Sequence, residues 1–182
     1  MAKRMRLPVA EKPESQEICF VPDDDYAAFL RARRPGAFRP GPIADLEGRT
    51  IGQHTGLPGF TIGQRRGMGV SAPRPLYALG LDPATNTVLA GPDEALFQSS
   101  LLAAGVRSIS RRPRETPFRA GVRVRYRHPE AAATVFPLPG GRARVEFDAP
   151  QRAIAPGQAV VFYDGDTVLG GGVIEAAPCP RD

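Results

Sequence analysis

Apolar positions along this chain fall in short runs separated by Gly, Pro, Asn and Asp, a pattern that predicts strands rather than long helices. One stretch departs from it. Asp23, Asp24 and Asp25 can cap a short helix over residues 26–33, whose Tyr26, Phe29 and Leu30 share a face. Pro35, Gly36, Pro40, Gly41 and Pro42 then break regular structure. Runs at 42–48, 76–81 and 87–90 read as strands of a small β-rich unit, with Asp82-Pro83-Ala84-Thr85-Asn86 as the turn between the last two. Residues 92–96 suit one helical turn. Six further strands follow at 102–108, 119–126, 133–138, 142–147, 159–163 and 167–174. Pro139-Gly140-Gly141 and Asp164-Gly165-Asp166 are hairpin turns between them. Six short strands at this spacing predict a closed or nearly closed antiparallel barrel, so the fold class is mainly β.

Composition narrows the setting. At 182 residues the chain suits one or two small domains, and 42% apolar residues are enough for packed cores. No apolar run reaches membrane-span length, and the basic start is not followed by a signal-peptide core. Two cysteines do not make a disulfide framework, so a reducing cytoplasm is the simplest compartment. The net charge of +5 suits a polyanionic partner; of the 24 basic residues only Lys3 and Lys12 are lysine. Arginine forks onto phosphate oxygens and stacks on bases, although a GC-rich genome produces the same bias.

Three features carry candidate chemistry. Cys19 ends a polar approach, Glu14-Ser15-Gln16-Glu17, and is flanked by Ile18 and Phe20. It reads either as a nucleophilic thiol on a loop or as a small buried hydrophobe, and composition leaves the two open. Gly63-Gln64-Arg65-Arg66-Gly67-Met68-Gly69 fits neither the P-loop nor the dinucleotide fingerprint. It is a tight turn with glycines at positive φ and solvated arginines, or a contact from Arg65 and Arg66 to a nucleic-acid backbone. Residues 107–127 hold Arg107, Arg111, Arg112, Arg114, Arg119, Arg123, Arg125 and Arg127 against Glu115. Alternation puts Arg123, Arg125 and Arg127 on one strand face, opposite Val122, Val124 and Tyr126. Tyr126 at the strand end either swings out to stack on a base or follows its parity into the core. His54 and His128 are too isolated for a metal site, and no metal is expected. Gly170-Gly171-Gly172, inside a strand, suggests a bend or close backbone approach.

The segment Leu7-Pro8-Val9-Ala10-Glu11-Lys12-Pro13-Glu14-Ser15-Gln16-Glu17-Ile18-Cys19-Phe20-Val21-Pro22 resembles part of the bacterial tRNA-specific 2-thiouridylases. The resemblance continues through Gly56-Leu57-Pro58-Gly59-Phe60-Thr61-Ile62 and the Gly63–Gly69 loop. It returns at Val124-Arg125-Tyr126-Arg127-His128-Pro129, Phe147-Asp148-Ala149-Pro150-Gln151-Arg152-Ala153, Pro156-Gly157-Gln158 and Leu169-Gly170-Gly171-Gly172. Members of that family begin with a nucleotide-binding domain carrying a Ser-Gly-Gly-x-Asp-Ser loop and a first catalytic cysteine. Neither occurs here, so the chain looks like the central and carboxy-terminal portion.

The resemblance implies a division into 1–34, a remnant of the nucleotide-binding domain with the cysteine loop; 35–98, a central β-rich domain; 99–178, a β-barrel similar to the second domain of translation elongation factors; and 179–182, a tail. It implies that Cys19 carries a persulfide whose sulfur replaces the C2 oxygen of a tRNA wobble uridine. That oxygen is first adenylated by ATP, bound outside this chain. Disulfide formation between Cys19 and the family's first cysteine would release the sulfur. Arg125, Tyr126 and Gln158 match the tRNA-contacting positions. Gln158 has both a donor and an acceptor to offer a base edge or ribose, while its plain role is to close its turn. The implied partners are tRNA, a persulfide sulfur-donor protein and the nucleotide-binding half in cis or in trans, with no membrane. This chain alone is expected to be inactive. The alternative is a non-catalytic tRNA-binding barrel with an inert Cys19. Cys179 is assigned no role.

Overall fold

The structure, a computed structural model, describes residues 21, 25–109, 115–126 and 128–176. The chain divides into two compact units, residues 1–38 and 39–182. In the first, helix α1 (Tyr26–Arg33) starts where the sequence places it, because Asp25 accepts a hydrogen bond from the Ala28 amide at 2.8 Å. Arg31 and Arg33 close its last turn. Arg31 lies over the Phe38 ring at 4.6 Å.

The second unit opens with a four-stranded sheet of β1 (Gly41–Ala44), β2 (Thr50–His54), β3 (Tyr77–Asp82) and β4 (Thr87–Gly91), in the order β2-β1-β4-β3. Only the β1–β4 pair is parallel. The turn at 82–86 forms as expected. Asp82 accepts from the Ala84 amide and the Thr85 hydroxyl at 2.9 and 2.7 Å, and Asn86 takes a φ of 53°. Period-two alternation along β4 separates two cores. Val88 and Ala90 join Ile43, Met68 and Ala78 on one face, while Leu89 joins Leu79, Leu96 and Ala153 on the other. The second face is thus covered by residues that lead into and belong to the barrel.

The barrel contains β5 (Phe97–Ser108), β6 (Phe118–Arg123), β7 (Ala131–Leu138), β8 (Arg142–Arg152), β9 (Ala159–Asp164) and β10 (Thr167–Ala176). It closes in the order β10-β5-β8-β7-β6-β9, every pair antiparallel. The closed form of the expectation holds. Inward positions alternate along each strand: Leu101 and Ala103, Ala120 and Val122, Ala133 and Val135, Ala143 and Val145, Val160 and Phe162. Burying a side chain such as Val145 or Phe162 stabilises by roughly 1.5–3 kcal/mol each. The glycines of β10 are needed for closure. A Cβ at Gly170, Gly171 or Gly172 would lie 2.4, 2.4 or 2.6 Å from the carbonyl oxygens of Arg107, Val160 and Ala104.

β2 is not among the strands read from the sequence, and several strand boundaries differ from that reading. β8 runs to Arg152 rather than stopping at 147, and β5 begins at Phe97, because Phe97 pairs with Arg152 and Gln98 with Gln151 beyond an irregularity in the ladder. Tertiary pairing overrides the breaker signal of Pro150. β6 ends at Arg123, where its last partner is Val161 of β9. The chain then turns, with the His128 amide donating to the Arg125 carbonyl at 3.2 Å.

Candidate nucleic-acid interface

The early end of β6 changes the expected row of arginines. Arg123 is still on the strand, pairs with Glu130 at 3.5 Å and lies 4.9 Å over the Tyr163 ring. Arg125 is beyond the strand, and Arg127 lies outside the described residues. The wall of the barrel is largely neutralised by acids, two of them distant in sequence and one, Glu146, two residues along the same strand. Arg119 forks onto Asp148, Arg142 binds Glu175 and Arg144 binds Glu146. The Arg119 hydrogen bond holds the Asp148 carboxyl below its ordinary value. A continuous strip of unpaired guanidinium groups along β6 is therefore not what the fold builds.

Arg125 is held differently. Its Nη1 donates to the carbonyl oxygens of Arg152 and Ala153 at 3.3 and 3.4 Å, and the residue remains exposed. Its charge is set on a backbone corner, with no carboxylate of a described residue against it. Ala153 makes that corner with a φ of 56°, unusual for a residue with a Cβ. Its amide donates to Leu96 at 2.9 Å. Tyr126 follows at 71% exposure, so it does not take the core position that parity offered. Val122 and Val124 do, at 0% and 2%.

The Gly63–Gly69 loop is stitched to β3. The Gly63 amide donates to Ala78 at 2.8 Å and the Ala78 amide to Gln64 at 2.9 Å. The Gln64 side chain accepts from Thr61 and donates to the Arg66 carbonyl, both at 2.9 Å. Gly63, Gly67 and Gly69 take positive φ, as a tight turn requires, and Arg65 and Arg66 are exposed. A Cβ on Gly63 would meet that of Ala153 at 3.0 Å. The loop and Arg125 therefore meet one residue, Ala153, Gly63 at its side chain and Arg125 at its carbonyl.

Gln158 sits apart. Its backbone closes the turn, accepting from the Ile174 amide at 2.8 Å and donating to Ala155 at 3.3 Å, while its side chain is exposed. Cys19 and Cys179 lie outside the described residues, as do Arg111, Arg112 and Arg114. Among the described residues no cluster of three or more His, Cys, Asp or Glu could hold a metal, and no helix is long and apolar enough to cross a membrane. Both ring nitrogens of His54 are engaged: Nδ1 accepts from the Gly56 amide, and Nε2 lies 3.0 Å from the Asn86 carbonyl. Sequence reasoning did not find Arg152, which binds Asp93 at 2.7 Å and lies 5.3 Å over the Tyr77 ring. Nor did it find the left-handed Ala153, because alanine carries no turn signal.

A small mixed sheet followed by a closed six-stranded antiparallel barrel defines a mainly β protein of two modules. Residues 27–92 match the tRNA methyl transferase PRC-barrel domain, and residues 98–174 match the aminomethyltransferase beta-barrel domain. The chain belongs to the tRNA-specific 2-thiouridylase family. It is 50% identical over 177 residues to tRNA-specific 2-thiouridylase MnmA of Symbiobacterium thermophilum, covering 97% of this chain and 45% of that protein. With the Moorella thermoacetica protein of the same name it shares 52% over 176 residues, 97% of this chain and 49% of the relative. With that of Halothermothrix orenii it shares 46% over 175 residues, 96% and 49%. The chain spans about half the length of the curated relatives it matches.

Proposed function

We propose that this chain supplies the tRNA-holding modules and the sulfur-carrying cysteine for 2-thiolation of a tRNA wobble uridine. The observation that carries the reading is about 50% identity over nearly the whole chain to proteins named for that activity. Its support in the fold is the convergence of Arg125 and the Arg65-Arg66 loop on Ala153, beside an exposed Tyr126. Arg125, Tyr126 and Gln158 hold tRNA, with Arg65 and Arg66 on its backbone. Stacking on Tyr126 and charge from fixed guanidinium groups suit single-stranded RNA near a base to be modified.

In this scheme ATP adenylates the uridine C2 oxygen, releasing pyrophosphate, at a site in a nucleotide-binding half joined in cis or in trans. The terminal sulfur of a Cys19 persulfide, loaded by a donor protein, bonds to C2. The C2–oxygen bond to the adenylate breaks and AMP leaves. A second cysteine from the nucleotide-binding half attacks the Cys19 sulfur, breaks the S–S bond and leaves a disulfide, so the transferred sulfur keeps the electron pair. The cytoplasm, with its tRNA and low potential, is the compartment.

The test is tRNA thiolation by the 182-residue chain with ATP and a persulfide donor, with and without a separately expressed nucleotide-binding half. Activity only on complementation, lost in Cys19→Ser, supports the reading. No thiolation on complementation, with salt-sensitive tRNA binding intact, would leave a non-catalytic RNA-binding barrel.

A further inference from the structure

Beyond the glycine loop the chain continues through Val70, Ala72, Pro73, Arg74, Pro75 and Leu76 before entering β3. Together with Arg65 and Met68 these residues line a depression of about 290 Å³. It has no acidic lining residue. Arg65 and Arg74 are both exposed, and neither joins an ion pair or hydrogen bond with a described residue. This differs from the barrel wall, where Arg119, Arg123, Arg142 and Arg144 each have a carboxylate.

The segment is also anchored. Met68 is 5% exposed in the core of the sheet, and Val70 packs where Gly52 lacks a side chain, its Cγ2 lying 2.8 Å from where a Cβ would be. Pro73 and Pro75 bracket Arg74. Proline fixes its own φ and pushes the preceding residue toward extended backbone, so little backbone freedom remains to be lost on binding. Two exposed guanidinium groups lining one acid-free depression, neither paired with a described residue, match an anion with several oxygens.

We infer that Arg65 and Arg74 form a phosphodiester subsite that grips the backbone of the bound RNA. Arg74 is a contact that the proposed function does not otherwise use. The inference rests on the RNA-binding reading and adds a defined place for the phosphate. Because the contact is to backbone, it raises affinity without regard to sequence.

The experiment is tRNA binding by the 182-residue chain, followed by fluorescence anisotropy across about 50 to 200 mM salt. Arg65→Ala/Arg74→Ala should lower the slope of log Kd against log salt by about 1.5, for two lost phosphate contacts, and weaken binding by about tenfold. Arg65→Lys/Arg74→Lys should restore most of the slope, which separates charge from folding. An unchanged slope in the alanine pair, with wild-type binding intact, overturns the subsite and leaves the RNA-binding reading standing. Absence of wild-type binding overturns that reading and the subsite with it. Inorganic pyrophosphate binding that is lost in the alanine pair, with the tRNA slope unchanged, would make this a small-anion site and overturn its assignment to RNA.

Discussion

Asp93 and Arg152 are linked across the junction of sheet and barrel, with Nη2 and Nε of the arginine donating to the same carboxylate oxygen at 2.7 and 3.1 Å. Asp93 starts the helical turn before β5, Arg152 ends β8, and 59 positions separate them. The pair fixes the residue next to Ala153, on which Arg125 and the glycine loop both rest. Each side chain is about one-third to two-fifths exposed, so the pair is screened and contributes about 1 kcal/mol at most. Arg152→Ala also loses the Tyr77 face and should cost about 0.5–1 kcal/mol more than Asp93→Ala. Urea unfolding of the single and double variants measures both, and equal losses for the two single variants would remove the aromatic contribution.

Arg125 and Tyr126 should separate positioning from stacking. Tyr126→Ala should weaken tRNA binding by about 1–3 kcal/mol, whereas Tyr126→Phe keeps the ring and most of the affinity. Arg125→Ala should weaken binding and flatten its salt dependence by nearly one charge. Equal losses for the alanine and phenylalanine variants of Tyr126 would count against stacking.

Barrel closure depends on β10. Gly171→Ala should destabilise by about 2–4 kcal/mol, since the new Cβ meets the Val160 backbone oxygen rather than a flexible side chain. Gly36→Ala and Gly59→Ala, with nothing within 4 Å of the added carbon, are the controls. Their unfolding midpoints should stay near wild type.

His54 ties the end of β2 to the turn between β3 and β4. His54→Ala would leave the Gly56 amide and the Asn86 carbonyl without their ring partners, costing about 1–3 kcal/mol. Amide exchange at Gly56 should accelerate by a corresponding factor. Unchanged protection there would show that the ring is dispensable.

Acid stability should carry a contribution from Asp148. Its folded-state pKa lies below the ordinary 3.8 because Arg119 hydrogen-bonds the ionised form. That stability is fully present above the unfolded value and is lost as pH falls from about 3.8 through the lower folded value. Wild type and Asp148→Asn should differ by a constant amount above about pH 5 and converge below it. A difference in thermal midpoint that does not narrow in acid would contradict the assignment.

Much of this was legible from local rules. Asp25 capped α1, the turn of residues 82–86 formed with Asn86 at positive φ, and alternation along 122–124 pointed Val122 and Val124 inward. The site was legible only as separate motifs. Nothing local brings the Gly63 loop, Arg125 and Ala153 to one place, and nothing local reveals that Asp148 and Glu175 neutralise Arg119 and Arg142.

The sequence by itself determined most of the strands, the turns at 82–86, 139–141 and 164–166 and the family, because these depend on period-two patterning, glycine and proline chemistry and contiguous motifs. Only the tertiary structure decided where β6 stops, how far β8 continues past Pro150, that Tyr126 faces outward and that Arg119 and Arg142 meet Asp148 and Glu175. Each of these depends on which residues from distant parts of the chain meet when the barrel closes. Pairing across such distances is set by the geometry of closure, not by the identity of any residue's neighbours in sequence.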